Sequence, residues 1–355
     1  MPRVLVAVLL IGTLTGTATA QPKAGKVQPD QLPIGTVYTG ATVEASFMVF
    51  EPGTDPTIKF EVTAPKFVKV LNKETHHQLF GGPGNDFVCG SVSFAVDTTT
   101  ANEFQGEIAV KLGKTTAKVP VSVTVKAQRP GLIRVLVVGS PFERYSTSDG
   151  TTFTTWTDLA RDTSLDVHSL LIDRGKPVLR EFDLTKFHCV LMTADGVYFQ
   201  TPADLKRVRA YAEGGGRVVV TANHFFRGTV EKANAVLDGY GVEIRDEEAG
   251  AGGMADVTLG KQEFAPELVR AGVESARFFR ASPVVVTDPK AGRVVVQAVG
   301  VGRPGDGFAA VAKAGKGEVV VLGESLWWNW LSKDRAQGTD NAKLFRWLLS
   351  PPKVA

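Results

Sequence analysis

The chain has 355 residues, of which 43% are hydrophobic and 22% are charged. This composition excludes a disordered or collagen-like chain, and the length favours two or three domains over one. The net charge is only +3, from 40 Lys and Arg against 37 Asp and Glu, and there is no basic tract. The sequence therefore indicates neither a nucleic-acid partner nor an anionic membrane surface.

Residues 1–20 have the pattern of a secretory signal peptide. Arg3 precedes an apolar run from Val4 to Ile11, and Ala18-Thr19-Ala20 forms an A-x-A cleavage site before Gln21. The apolar run is far shorter than the roughly 20 residues that a membrane-spanning helix needs. We therefore predict an exported protein, periplasmic or extracellular, with no integral membrane segment once the signal is removed.

Residues 21–128 show hydrophobic alternation with a period of two. Val43, Ala45, Phe47 and Val49 alternate with polar residues, and the same pattern recurs over 108–112 and 119–125. Glycine and proline turn signals separate six or seven such segments. This pattern predicts an antiparallel β-sandwich, with Pro120 marking an edge strand.

Two small features of this region raise the question of a metal or a disulfide. His76 and His77 would point to opposite faces of a strand, and only His76 is in phase with Glu74. Two ligands are short of the three or four of a zinc site, so a solvated loop pair is predicted and no metal site. Cys89 lies in phase with serines on the predicted polar face, and Cys189 lies in an apolar run of the second domain. A bridge would require close contact between domains, so two unpaired cysteines are favoured.

The sandwich region resembles a known class of exported module. Ile34-Gly35-Thr36-Val37-Tyr38-Thr39-Gly40, followed by Val43–Phe50 and later by Phe104–Val110, is similar to the small Ig-like bacterial β-sandwiches related to the Hydin-type repeats. The resemblance covers about a hundred residues on generic glycine and valine patterns. It implies a spacer or adhesion module.

Residues 129–355 alternate buried strands with helices. The predicted strands are Leu132–Val138, Leu165–Ile172, Cys189–Thr193, Arg217–Thr221 and Val242–Ile244, followed later by Val319–Gly323. A helix begins at the Thr201 cap with Pro202 and Asp204, and another begins at Thr229. The pattern predicts a flavodoxin-like three-layer α/β domain with a parallel sheet, an insertion with its own strands at about 245–310, and a last helix from Asp340.

Ligands of such sheets bind at the carboxyl ends of the strands, so the residues that follow each strand are the candidate site. The ligand-binding candidates are Ser140, Asn223, Ser325, Trp327 and Trp328. The acid–base candidates are His224, Asp195 and Glu324. The Trp residues either stack on a sugar, hold a protein partner or form a hydrophobic plug under the insertion.

The second region resembles the class I glutamine amidotransferase-like superfamily, in its trehalose-utilisation-like, non-amidotransferase branch. The likeness lies in the helix that ends at Gly214-Gly215-Gly216 before Arg217–Thr221, and in Gly315-Lys316-Gly317-Glu318 before Val319–Gly323. Amidotransferase members carry a cysteine nucleophile on a sharp turn after a strand. Here that turn is Ala222-Asn223-His224-Phe225, so amidotransferase activity is rejected.

Two function classes stay open from the sequence. The first is an exported, non-catalytic binding or scaffolding protein with a degenerate amidotransferase-like domain and a carbohydrate or protein partner. The second is a carbohydrate-processing enzyme, which the resemblance implies, with His224, Asp195 and Glu324 as its acid–base residues. The G-x-G-x-x-G match at 300–305 precedes a strand rather than a helix, so it predicts a hairpin loop, and no cofactor is expected.

Overall fold

The computed structural model describes most of the chain from Val27 onward. The described residues are 27–79, 86–139, 142–147, 150–155, 165–170, 178–198, 200–224, 228–249, 256–299, 303–324 and 338–351. They are mostly β-strand, in several separate sheets, which confirms a β-rich multidomain protein. The predicted signal peptide lies outside these ranges. Within them, no helix combines the length and the apolar character needed to cross a membrane.

The first part of the chain forms two four-stranded sheets. The strands are β1 (Val27–Gln28), β2 (Leu32–Tyr38), β3 (Glu44–Pro52), β4 (Phe60–Thr63), β5 (Val68–Leu79), β6 (Asp86–Val96), β7 (Asn102–Leu112) and β8 (Thr115–Lys126). One sheet has the order β1-β3-β6-β5 and the other β2-β8-β7-β4. Alternate side chains of both sheets fill one shared core, in which Phe47, Phe94, Ile108 and Val121 are buried.

The pairing of β8 differs from the prediction in two ways. β2 runs parallel to β8, so this part of the chain is not wholly antiparallel. Pro120 lies in β8, which has neighbours on both sides, so the predicted edge strand is wrong. β2 pairs with β8 only from Val121 onward, and opposite Pro120 the neighbour is Glu107 of β7. The missing N–H of proline therefore falls just beyond the end of a neighbouring strand.

His76 and His77 lie in a strand and not in the predicted loop. β5 extends to Leu79 because it pairs with β6 along its length. His77 Nε2 lies 3.0 Å from Asp86 Oδ1 on that neighbour. Throughout the described part of the chain, no three His, Cys, Asp or Glu side chains are grouped so that they could hold a metal ion.

Cys89 and Cys189 are both buried. Cys89 lies on the outer face of β6, where polar neighbours predicted exposure, but it is covered by Phe50 and Phe87 in a small second cluster. Cys189 lies in the core of the second region, where burial raises the pKa of its thiol to about 12. Neither thiol has the exposure that reactivity requires.

The second part of the chain contains a nine-stranded sheet and two separate hairpins. Its strands are β9 (Ile133–Val138), β10 (Phe142–Thr147), β11 (Gly150–Thr155), β12 (Leu165–Leu170), β13 (Cys189–Met192), β14 (Arg217–Thr221), β15 (Val242–Ile244), β16 (Asp256–Gly260), β17 (Ser275–Phe279), β18 (Val284–Val286), β19 (Gly292–Gln297), β20 (Gly307–Ala314) and β21 (Gly317–Leu322). The large sheet has the order β12-β9-β13-β14-β21-β20-β18-β15, with β19 paired to β20. The hairpins are β10–β11 and β16–β17.

The five strands from β12 to β21 in this order are all parallel, as predicted. β15 joins the sheet by antiparallel pairing with β18, so the parallel set ends before it. The segment 245–310 supplies the β16–β17 hairpin and also β18 and β19, which join the main sheet. Residues 303–305 of the predicted hairpin loop lie before β20, which pairs with β19 in antiparallel fashion, and residues 300–302 lie outside the described ranges.

Helices cover both faces of this sheet. They are α1 (Ala194–Tyr198), α2 (Pro202–Glu213), α3 (Thr229–Leu237), α4 (Pro266–Arg270) and α5 (Asn341–Leu349), with short 3-10 turns at Val178–Glu181, Leu184–Lys186 and Lys261–Glu263. α2 begins as predicted, because Thr201 Oγ1 accepts the backbone N–H of Asp204 at 3.2 Å. Neighbouring strand residues such as Val218 and Val219 pack into different cores, one beneath α2 and α3 and the other beneath α5.

Candidate functional site at the carboxyl edge of the sheet

Polar side chains from four segments meet where β14 and β21 end. Asn223 and His224 follow β14, and Glu324 follows β21. The segment after β15 and the segment between β17 and β18 contribute the other members. We refer to the group as the edge cluster, which consists of Asn223, His224, Glu248, Arg280, Ser282 and Glu324.

Backbone hydrogen bonds hold these segments against one another. The N–H of Ser282 donates to Gly323 O at 2.7 Å, and the N–H groups of Arg245 and Ala249 donate to Pro283 O and Ala281 O, each at 2.9 Å. A Cβ on Gly323 would lie 1.9 Å from Ser282 O, so a side chain at position 323 is incompatible with this approach. The glycine after β21 therefore allows segment 280–283 to cross the end of the sheet.

His224 is held by hydrogen bonds on both ring nitrogens. Its Nε2 lies 3.3 Å from Glu248 Oε2, and its Nδ1 lies 3.3 Å from Ser282 Oγ. Burial lowers the pKa of His224 below its ordinary value, against the opposing effect of the Glu248 carboxylate. Because a carboxylate only accepts, neutral His224 carries its proton on Nε2, and Nδ1 accepts from the Ser282 hydroxyl.

Glu248 also contacts Arg280, with 3.3 Å between Glu248 Oε2 and Arg280 Nη2. Both side chains are mostly buried, with 13% and 14% of their area exposed. Arg280 has a φ of +51°, and among the described residues it is the one non-glycine residue with a positive φ. A left-handed conformation costs an L-residue about 1–2 kcal/mol, and such strain concentrates at functional sites.

Asn223 is fully buried and only partly hydrogen-bonded. Its Nδ2 donates to Arg280 O over a long distance of 3.4 Å, and its backbone oxygen accepts from Thr229 Oγ1 at 3.2 Å. Its side-chain oxygen Oδ1 has no hydrogen-bond partner in the described part of the chain. A buried amide oxygen without a donor costs about 1–3 kcal/mol, and each such group in a native protein requires an explanation.

The Glu324 carboxylate is enclosed and binds the backbone of a neighbouring segment. The residue is fully buried, and its Oε2 accepts the backbone N–H of Phe279 at 3.0 Å. Phe279 ends β17 immediately before Arg280. The carboxylate therefore fixes the start of the segment that carries Arg280 and Ser282.

The sequence-predicted site residues have different outcomes. Asn223, His224 and Glu324 meet at one edge of the sheet, and the carboxylate facing His224 is that of Glu248 rather than Glu324. Asp195 lies in α1, directly after β13, and its side chain is outside the described set. The described ranges do not include Ser140, Ser325, Trp327 and Trp328.

Sequence reasoning missed Glu248, Arg280 and Ser282. All three come from the segment that the sequence predicts to be an insertion with its own strands. One signal was present, because the charged run 245–248 directly follows the strand Val242–Ile244. The rule that strand ends carry site residues applies there as well.

The order Ser282, His224 and Glu248 resembles a catalytic triad, but the geometry opposes nucleophilic chemistry. Ser282 is fully buried, and its Oγ accepts the backbone N–H of His224 at 2.8 Å. A nucleophile needs access to the substrate. The histidine contacts match those of a triad, but the serine is enclosed, so its Oγ is not presented to a substrate. The geometry is that of a preformed polar surface.

Comparisons with known proteins give weak similarities. No family model matches the chain, and no curated protein sequence matches it. Among solved structures, a cytoplasmic protein from Salmonella typhimurium LT2 is 14% identical, with a TM-score of 0.42, over 61% of this chain and 98% of that chain. An exo-β-1,4-mannosidase from Opitutaceae bacterium strain TAV5 is 14% identical, with a TM-score of 0.35, over 55% of this chain and 30% of that chain.

A family 123 glycoside hydrolase from Clostridium perfringens is 9% identical, with a TM-score of 0.21, over 55% of this chain and 34% of that chain. All of these TM-scores are below 0.5.

Proposed function

We propose that the protein is an exported, non-catalytic binding protein that holds a polyhydroxyl ligand, a carbohydrate, at the edge cluster. The observation that carries this proposal is the side-chain oxygen of Asn223, which is buried and without a donor in the described part of the chain. Because Asn223 is fully buried, binding would move the segments that cover it, and a hydroxyl of the ligand would then supply the missing hydrogen bond. Sites that bind polar ligands commonly pair enclosure with a few such convergent groups.

The other members of the cluster suit hydroxyl groups, which both donate and accept. Glu248 contributes carboxylate oxygens, and Arg280 contributes guanidinium donors. His224 keeps 18% of its side-chain area exposed, so the cluster is open to solvent on that side. The strained backbone of Arg280 supports a functional role for this segment, because the strain has no evident structural benefit.

We also propose the finer architecture, an Ig-like sandwich followed by a flavodoxin-like, amidotransferase-like domain. The parallel order β12-β9-β13-β14-β21 with helices on both faces supports the second domain type. The residues after β14 supply no cysteine, and the described serine beside His224 is buried, which supports a degenerate, non-catalytic domain. Export is supported by the pattern of residues 1–20, and a mature protein beginning near Gln21 is the expected secreted form.

A glycan-library binding screen tests the proposal. We compare the wild type with Asn223→Leu, which removes the unpaired oxygen, and with Asn72→Ala, a change at an exposed asparagine of β5. We expect wild type and Asn72→Ala to bind the same glycans, with affinity at least about tenfold lower in Asn223→Leu because one buried hydrogen bond is lost. Equal binding by Asn223→Leu, or no binding by the wild type, would refute the proposal.

The second candidate is a carbohydrate-processing enzyme. It is favoured by one observation, the 3.3 Å contact between His224 Nε2 and Glu248 Oε2, which places two acid–base groups side by side. An assay for newly released reducing ends on the bound glycans separates the two functions. Product release that is lost in His224→Ala but kept in His188→Ala, a change at an exposed histidine, would establish the enzyme and overturn the non-catalytic proposal.

A further inference from the structure

The two parts of the chain are joined through the edge strand of the large sheet. Segment 42–44 lies alongside β12, with a parallel β-bridge between Val43 and Ser169. The N–H of Ser169 donates to Thr42 O at 2.8 Å, and Ser169 Oγ exchanges hydrogen bonds of 3.0 Å with the backbone N–H and oxygen of Glu44. The sandwich thus covers the open edge of β12, which is otherwise a row of unpaired backbone groups.

A buried carboxylate and a buried histidine lie directly behind this contact. Asp166 is fully buried, and its Oδ2 is 2.9 Å from Gln128 Nε2, 3.3 Å from Arg134 Nε and 3.3 Å from His168 Nε2. Burial raises the pKa of Asp166, but the hydrogen bonds from His168, Gln128 and Arg134 outweigh burial and hold the pKa below its ordinary value. Asp166 is therefore an acceptor, which leaves the proton of a neutral His168 on Nε2.

The second ring nitrogen of His168 reaches across to the sandwich. The backbone N–H of Thr42 donates to His168 Nδ1 at 3.1 Å. His168 is 4% exposed, and its ring packs edge-on against Phe187 at 5.1 Å between centroids. This hydrogen bond exists only while Nδ1 carries a lone pair. A proton on Nδ1 would place a second N–H directly opposite the Thr42 N–H, beside a ring that is only 4% exposed.

We propose that neutral His168 is a latch between the sandwich and the α/β region, and that protonation at Nδ1 releases the contact of segment 42–44 with β12. Release would uncover the edge of β12 for pairing with another strand. This is a regulatory device separate from ligand binding at the edge cluster.

The other titratable or charged residues of β9 and β12, at the facing ends of β2 and β3, in the linker after β8 and beside Phe187 are Tyr38, Glu44, Arg129, Arg134, Asp166, Lys186 and His188. Of these, Asp166 is the one in hydrogen-bond contact with the His168 ring in the described part of the chain. Its carboxylate attracts the added proton, while the Thr42 N–H opposes it. Protonation therefore strengthens the contact within β12 and removes one of the hydrogen bonds that hold segment 42–44 against this strand.

Fluorescence energy transfer in the full chain tests the latch. Dyes on Lys114→Cys and Lys316→Cys, two exposed positions in the two regions, report their separation between about pH 8 and pH 5, the range over which histidines commonly titrate. The matched variants are His168→Asn, whose Oδ1 accepts from Thr42 but gains no proton, and His188→Asn. His188 Nδ1 also accepts a backbone N–H, from Arg134 at 2.9 Å, but within one region.

We expect transfer to fall with pH in the wild type and in His188→Asn, and to stay constant in His168→Asn, with unchanged far-ultraviolet circular dichroism in all three. A pH-independent wild type, or a His168→Asn variant that responds like the wild type, would overturn the proposal.

Amide hydrogen exchange of the wild type provides a test that needs no variant. After correction for the intrinsic pH dependence, protection of segments 39–46 and 165–170 should fall about tenfold at the acid end, which corresponds to losing one buried hydrogen bond, while β6 and β14 stay protected. Equal protection at both pH values would contradict the latch.

Discussion

Replacing Asn223 by leucine should stabilise the protein in the absence of ligand. Leucine has the same number of side-chain heavy atoms in the same branched arrangement, and it removes the buried Oδ1 that has no partner in the described part of the chain. Removing the buried oxygen that lacks a donor should raise the free energy of unfolding by about 1–3 kcal/mol. Losing the 3.4 Å hydrogen bond to Arg280 O should lower it by about 1 kcal/mol or less. The net expectation is a gain of about 1 kcal/mol, which raises the Tm by about 2–4 °C in a domain of this size.

A second buried asparagine provides the control. Asn341 is 1% exposed, but its Oδ1 accepts from Arg277 N at 2.8 Å and its Nδ2 donates to Arg277 O at 2.9 Å. Asn341→Leu leaves two backbone groups unpaired and should cost about 2–3 kcal/mol. Both variants are measured by thermal unfolding with calorimetry. If Asn223→Leu lowers the Tm as much as Asn341→Leu, the amide of Asn223 is satisfied and the reasoning for a ligand acceptor is refuted.

Three further experiments, two with substitutions and one with a thiol reagent, test the packing and the charges. Arg217→Met should lower the free energy of unfolding by about 3 kcal/mol in urea titrations, because it removes a buried guanidinium that pairs with Glu318 at 2.6 Å; an effect below 1 kcal/mol would contradict this. Iodoacetamide should modify neither Cys89 nor Cys189 in the native protein at about pH 8 and both after denaturation, as counted by intact mass, since both thiols are buried. The folded structure lowers the pKa of Asp166 below 3.8, its value in the unfolded chain. The ionised carboxylate therefore stabilises the fold at pH values above 3.8, and this stabilisation is lost as the pH falls through the lower pKa of the folded state. Asp166→Asn should therefore have a lower Tm than the wild type at pH 7, and its Tm should fall less than that of the wild type when the pH drops below 3.8. Plots of Tm against pH that run parallel for the two proteins would exclude a stabilising role of the Asp166 carboxylate.

Local patterns in the sequence predicted the strands and helices well. The alternation of Val43, Ala45, Phe47 and Val49 places these side chains in one core, since only one face of that strand is covered by the opposite sheet. Thr201 and Pro202 begin α2 because capping depends on residues close in sequence.

Pairing between distant segments could not be predicted in the same way. The parallel pairing of β2 with β8 and the cover that Phe50 and Phe87 give Cys89 depend on which strands become neighbours. The extension of β5 over His76 depends on its partner β6 in the same way.

The sequence predicted only those residues of the candidate site that come soon after the end of a single strand. Asn223 and His224 follow β14 directly, so the rule for strand ends located them. Glu248 and Arg280 reach the same place because the segments around them pair across the end of β21, and the positive φ of Arg280 leaves no trace in the residue type. A glycine at position 323 is consistent with that crossing, but it looks like any other strand-end glycine in the sequence.

A crystal structure of the protein with a glycan selected in the binding screen tests the central claim most directly. The account predicts a ligand hydroxyl within about 3.2 Å of Asn223 Oδ1, at normal hydrogen-bond length, with further contacts to Arg280 and Glu248. A glycan bound elsewhere, with Asn223 Oδ1 still lacking a donor, would contradict the assignment of the edge cluster as the binding site.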